Sequence, residues 1–158
     1  MKLLLKQRFF SWLDSYDIYD EEGNTVFTVA SELDWGHVLH ILDSSGRHLG
    51  TVKERVLTLF EPKFEIYRGE DEYIGCITKR FALFKPKFEI DFNGWQVEGN
   101  ILGWDYTVTS STGDTVATIS KDLGYWTDAY AVDVLNPDDA LCVLMLVLSI
   151  DAEKCSRS

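Results

Sequence analysis

The sequence predicts a mainly β fold: a closed antiparallel barrel of about 12 strands around a buried hydrophobic C-terminal α-helix. Three observations predict it. Turn-forming residues punctuate the chain from Leu3 to Val134, at Glu22-Gly23-Asn24, Ser44-Ser45-Gly46, Arg68-Gly69-Glu70, Asn93-Gly94 and Thr112-Gly113-Asp114. One strand-forming phrase occurs twice. Near the end lies a run, Ala140 to Ile150, that is apolar on every side.

The segments between turns are rich in Val, Ile, Thr, Phe, Tyr and Trp, and they alternate. Trp104, Tyr106 and Val108 fall on one face; Asp105, Thr107 and Thr109 fall on the other. The repeat is Phe60-Glu61-Pro62-Lys63-Phe64-Glu65-Ile66, which returns as Phe84-Lys85-Pro86-Lys87-Phe88-Glu89-Ile90, 24 residues later. Gly50-Thr51-Val52-Lys53 leads the first copy and Gly75-Cys76-Ile77-Thr78-Lys79 the second. A fainter echo runs from Val116 to Lys121 and from Trp126 to Asp133. Such a period describes repeated hairpins. Pro62 and Pro86 lack the donor a ladder needs, so they mark strand starts or bulges.

The terminal run has no polar face to give to water, so as a helix it is buried in protein or in lipid. Its start is written ahead of it: Asn136 as cap, Pro137 at the first position, Asp138 and Asp139 in the first turn. Lys154 belongs in the last turn. The apolar run is about 16 Å long as a helix, and a bilayer needs about 20 apolar residues. It is therefore a core helix, and no transmembrane segment is expected. A sandwich has little use for such a helix, whereas a wide barrel leaves a hole that a helix fills.

The 158 residues suit one domain, residues 1–158. A net charge of -11 disfavours nucleic acid and general adsorption to anionic membranes. Charge is uneven: residues 47–87 hold nine of the fifteen Lys and Arg against six acids. Cys76, Cys142 and Cys155 are odd in number and irregular in spacing, and Cys142, within the apolar run, reads as a free buried thiol, which suits a reducing compartment. The apolar start, Leu3-Leu4-Leu5, is too short for a signal peptide, so a cytoplasmic location is expected.

The opening Leu5-Lys6-Gln7-Arg8-Phe9-Phe10-Ser11 is followed by Tyr16-Asp17-Ile18-Tyr19-Asp20-Glu21-Glu22-Gly23-Asn24. With the doubled Pro-Lys-Phe-Glu-Ile phrase and the terminal helix, these resemble the LURP-one-related family in its short bacterial form, over nearly the whole chain. That family is similar to phospholipid scramblases and to the C-terminal domain of Tubby proteins. The resemblance implies a closed barrel of about twelve strands threaded by a central helix. It brings no catalytic motif, and the bacterial members have no settled biochemical role. Tubby domains bind phosphoinositide headgroups through basic residues. Scramblases carry an acidic calcium segment beside their terminal helix; Asp138 and Asp139, in roughly that place, read here as a helix start.

No catalytic signature stands in the chain: no Gly-x-Ser-x-Gly, phosphate-cradling loop, His-Glu-x-x-His or calcium loop. His37 and His40 share a strand at odd spacing, which sends them to opposite faces and argues against a metal pair. Cys76 has no base beside it in sequence. The acids at Asp17, Asp20, Glu21, Glu22 and at Glu70, Asp71, Glu72 read as solvated turns. Trp12, Trp35, Trp95, Trp104 and Trp126 read as core or turn covers. Neither metal nor cofactor is expected.

The basic group is the candidate site. Lys63, Lys85 and Lys87 lie on the polar side of the repeated phrases, with Lys53, Lys79 and Arg80 on neighbouring strands. Lys63, Lys79, Arg80, Lys85 and Lys87 are the expected ligand-binding residues, for an anionic phospholipid headgroup or a phosphorylated ligand. The plainer reading is that Glu61, Glu65 and Glu89 pair with these cations across strands. The expected function is thus a non-enzymatic binding or scaffolding module for such an anion or for a protein partner. The alternatives are an enzyme with a small pocket at a barrel end and a membrane-associated scramblase-like protein, the latter disfavoured by the short helix.

Overall fold

A computed structural model describes residues 1–6, 15–34, 36–55, 61–80, 85–122 and 129–156. Of Leu33, Asp34, Asp122, Cys155 and Ser156 it describes the backbone. Gln7 to Ser11, Trp12, Trp35, Phe60, Phe84, Trp126 and the Cys155 thiol lie outside the described residues.

Twelve strands form one antiparallel sheet: β1 Lys2–Lys6, β2 Tyr16–Tyr19, β3 Thr25–Asp34, β4 Gly36–Asp43, β5 His48–Arg55, β6 Lys63–Arg68, β7 Glu72–Arg80, β8 Lys87–Ile90, β9 Gln96–Asn100, β10 Asp105–Thr109, β11 Thr115–Asp122 and β12 Ala129–Val134. Strands adjacent in sequence pair, except β8 with β9, and β1 pairs with β12, so the sheet runs from β8 back to β1 and on from β12 to β9. Pro62 and Pro86 immediately precede β6 and β8, at strand starts where a missing donor costs nothing.

The barrel is nearly closed. β8 and β9 are the two edges of the sheet, adjacent in sequence but with no ladder between them. The turn joining them sends Phe92 and Trp95 inward, where both are buried with ring centroids 6.0 Å apart. Gly75 makes room for this: a Cβ there would stand 2.6 Å from Cδ1 of Phe92. Between the two aromatics Asn93 and Gly94 make a two-residue turn, at φ +56° and +66°, with the Trp95 amide donating to the Phe92 carbonyl at 3.4 Å, yet the strands it joins do not pair.

The lumen is filled by α1, Ala140–Ser156. It is entered through one 3-10 turn, Pro137–Asp139, capped as its sequence predicts: the Asn136 side chain accepts the Asp138 amide at 3.0 Å. Every side chain from Cys142 to Glu153 is buried, and Leu144 and Leu148 are within 1% of complete burial. The inner sheet face supplies Leu3, Leu5, Ile18, Val29, Ile41, Val52, Ile66, Ile77, Val108, Ile119 and Val132 to the same core. Gly50 faces the helix at its closest approach; a Cβ there would lie 3.1 Å from the Met145 sulfur. The helix also runs further than its apolar stretch, and Asp151 and Glu153 are buried with it.

The alternating strand directions give the barrel two unlike ends. At the turn end lie the short connections 20–24, 44–47, 69–71, 91–95 and 110–114, and the helix enters there beside the N-terminus, whose ammonium donates to the Val134 carbonyl at 2.8 Å. The loop end holds the connections after β1, β3, β5, β7, β9 and β11, and the helix C-terminus.

Candidate functional site: the loop end of the lumen

Strand alternation places polar side chains inside the barrel at the loop end. In β7, Ile77 faces the helix, so Lys79, two residues on, does as well. Its Nζ donates to Glu153 Oε1 at 2.8 Å, and the two side chains are 11% and 4% exposed. His37 on β4 and Glu54 on β5 also meet, at 2.5 Å, with side chains 24% and 22% exposed. The Lys79 and Glu153 charges lose most of their hydration at their depth, and a close, hydrogen-bonded geometry offsets that loss.

The last turn of α1 carries the rest of the cluster. The Lys154 Nζ stands 3.5 Å from the ring centroid of Trp104, a cation–π contact, and Lys121 approaches the same ring at 6.0 Å. Trp104 also packs beside Tyr130, centroids 6.1 Å apart. Tyr106 is buried; burial pushes its phenol upward, and the negative charge of Asp151 adds to the push. Trp104 has φ +51°, a left-handed conformation that disfavours any side chain and a bulky one most. Strain of this kind persists where surroundings hold it, and it concentrates at working sites.

These groups line a cavity of about 220 Å³ at the loop end of the β8–β9 seam. Pro86, Phe88, Ile101, Leu102 and Trp104 supply apolar wall; Lys79, Glu153 and Lys154 supply the polar base. Leu102 stands at the mouth, 64% exposed. A longer groove of about 510 Å³ follows the seam between the two unpaired edges, over Phe88, Trp95 and Val97 and flanked by Lys87, Glu89 and Glu98.

The five basic residues singled out by sequence all sit at this end, on β6, β7, β8 and the connection before β8, but they divide. Lys79 points into the lumen and is ion-paired. Arg80, on the outer face, is held by Glu61 and by Glu89, the latter at 2.9 Å, so the plainer cross-strand reading applies to it. Lys63, Lys85 and Lys87 have no ion-pair partner among the described residues. Lys85 and Lys87 are exposed and flank Pro86 at the cavity wall, and Lys87 is the register partner of Arg80. Lys63 lies a strand further away, opposite Thr78. Sequence reasoning missed Glu153, Lys154 and Trp104 as neighbours of this patch. The signal for Lys79 was available, since it shares a face with Ile77.

Cys76 gains nothing from its setting: burial pushes its thiol up, away from the reactive thiolate. Asp20 and Asp43 fix turns, each accepting amides two and four residues on. Among the described residues no three His, Cys, Asp or Glu side chains gather as a metal-ligand set, and no helix is long and apolar enough to cross a membrane.

Comparison with known proteins matches the chain to the family model described as LURP-one-related, over residues 1–151. The uncharacterised protein YxjI of Bacillus subtilis (strain 168) is 28% identical over 153 residues, which take in 96% of this chain and 92% of that protein. An X-ray structure of an Arabidopsis thaliana protein is similar at a TM-score of 0.65 and 18% identity, covering 96% of this chain and 91% of the other. At that identity the likeness carries the barrel and its helix, and no ligand.

Proposed function

This chain belongs to the LURP-one-related family, and from that premise we propose that it is a non-enzymatic binding module that takes an anionic ligand at the loop end of its barrel. The observation that carries the reading is the seam cavity, where an apolar wall of Phe88, Ile101, Leu102 and Trp104 meets a cationic rim. Lys85 and Lys87 contribute uncommitted charge there, Arg80 lies beside Lys87, and Lys63 extends the positive field. Lys79 and Lys154 lie at the base, where an anionic group that reached them would compete with Glu153. A ligand with a phosphate or carboxylate and an apolar portion fits both surfaces: a phospholipid headgroup with part of its chain, or a smaller phosphorylated molecule. The net charge of -11 opposes adsorption of the whole barrel to an anionic bilayer, so recognition is confined to this patch.

The enzyme alternative has less to work with. The helix fills the lumen, and Glu153, the carboxylate at the cavity, is already paired with Lys79. A protein partner is the second reading, and the seam favours it. β8 and β9 each keep one unpaired edge along a groove, which is what an added strand needs.

Vesicle flotation tests the first reading. The protein should float with vesicles containing phosphatidylserine or a phosphoinositide and stay down with pure phosphatidylcholine. Lys85→Glu with Lys87→Glu should abolish flotation while leaving the melting curve intact. Competition by inorganic phosphate or a soluble headgroup separates headgroup recognition from chain insertion. Equal flotation by wild type and double variant, or none by either, defeats the proposal.

A further inference from the structure

On the outer face of the β4–β5 hairpin, away from the seam, three polar atoms face one another. They are His40 Nδ1, His48 Nε2 and Thr51 Oγ1, separated by 3.2 Å between the two imidazoles, 3.1 Å from His48 to Thr51 and 3.5 Å from His40 to Thr51. The arrangement follows from register. Thr51 is the partner of His40 across the ladder, and a bulge between Ile41 and Leu42 swings His48 back toward both. The imidazole planes are tilted by 57° with centroids 5.3 Å apart, so the nitrogens converge without the rings stacking.

We propose that this hairpin binds a divalent transition metal, Zn²⁺ or Cu²⁺, through His40 Nδ1 and His48 Nε2, with the Thr51 hydroxyl at or beside the third position and water completing the shell. The spacing is the first argument. Zn–N bonds of about 2.0–2.1 Å at tetrahedral angles put neighbouring donor atoms about 3.3 Å apart, and the three separations bracket that value. Chemistry is the second. Two imidazoles facing each other through bare nitrogens share at most one proton between them; a metal ion satisfies both lone pairs at once. The surrounding acids are the third. His40 Nε2 meets Glu32 Oε2 at 2.9 Å, and His48 Nδ1 looks toward Glu70 Oε1 at 3.9 Å. The Glu32 carboxylate behind His40 fixes that ring's tautomer and raises its basicity, while Glu70, beyond hydrogen-bond distance of His48, adds negative charge that offsets the ion's. His40 and His48 are 33% and 20% exposed, open enough for a hydrated ion to enter. His37, the histidine nearest to His40 in sequence, faces the lumen with Glu54 and takes no part.

The full chain, stripped with a chelator and titrated with Zn²⁺ or Cu²⁺ alone in a calorimeter, should take up one ion. His40→Ala and His48→Ala should each weaken binding at least tenfold, and His37→Ala should leave it unchanged. Glu32→Gln should weaken it by about tenfold, as loss of an outer-shell carboxylate does. Affinity should fall on acidification, because a proton and the ion compete for the same imidazole lone pair. Nitrogen-15 histidine spectra supply a readout independent of folding energy: Zn²⁺ should shift His40 Nδ1 and His48 Nε2 most. No uptake by the folded chain, or uptake that His40→Ala and His48→Ala leave untouched, overturns the proposal.

Discussion

The turn end and the loop end of this barrel are built from opposite materials. Three connections at the turn end are one device used three times: Asp20–Asn24, Asp43–Arg47 and Ser110–Asp114. In each, the fourth residue is Gly, with φ +85°, +87° and +87°, and its amide donates to the carbonyl of the first residue. A side-chain oxygen of the first residue accepts the amide of the fifth, at 2.9, 2.9 and 3.2 Å. The loop end has the Lys79–Glu153 pair inside the lumen, a strained Trp104 and the mouth of the seam. Local chemistry fixes one end residue by residue; at the other, described residues far apart in sequence meet, Lys79 with Glu153 and Trp104 with Lys154. The difference teaches where this fold has latitude for a binding surface, since a scaffold set at one end frees the other.

The largest effect follows from emptying the lumen that joins the two ends. A chain ending before Asn136 loses every side chain between Cys142 and Glu153, and the inner sheet face loses the helix that packs against it. It should show no cooperative thermal transition and should bind a hydrophobic dye. A soluble truncate that melts cooperatively would mean that the barrel packs on itself.

A smaller effect separates the ends. Glu153→Gln leaves Lys79 buried without its counter-ion and should cost about 3 kcal/mol, while Lys79→Met with Glu153→Leu should recover most of that loss. Chemical denaturation of the three chains gives the comparison. If the double variant is no better than the single, the pair is held by more than mutual charge, and the loop end is less independent of the core than its polar lining implies.

The helix and the barrel were legible because each is written locally. All-round greasiness between Ala140 and Ile150, the Asn136-Pro137 start and the regular turns need no knowledge of distant residues. The apolar face of the clearly alternating segments was equally plain, and with it Tyr106 and Val108 inside and Thr107 outside. The seam was not legible. It depends on Phe92 and Trp95 both turning inward against Gly75, a matter of three-dimensional fit. The basic patch was half legible: sequence gathered its members at one place, but Lys79 is inside because Ile77 is, and Arg80 is neutralised by Glu61 and Glu89. Asp151 and Glu153 lay past the end of the apolar run, where a helix ordinarily meets solvent; only the depth of the lumen explains their burial. The His40–His48 contact needed a bulge that spacing does not reveal.

The smallest effect belongs to the turn end, which contains its own control. Hydrogen bonds from the Asn24 amide hold the Asp20 carboxyl below its usual range, and the Ser45 hydroxyl followed by the Arg47 amide does the same for Asp43. A carboxyl lowered in the folded state adds stability above its unfolded pKa of about 3.9 and loses it as pH falls through the lowered folded value. The third turn uses the Ser110 hydroxyl in the same place, and that acceptor does not titrate. Amide hydrogen exchange between pH 5 and pH 2, corrected for intrinsic rates, should therefore show protection falling at Asn24 and Arg47 while Asp114 keeps its own. Asp43→Asn retains an acceptor without the charge and should flatten the pH dependence at Arg47 alone. If all three amides lose protection together, acid is opening the whole barrel, and the three turns do not stand as separate local devices.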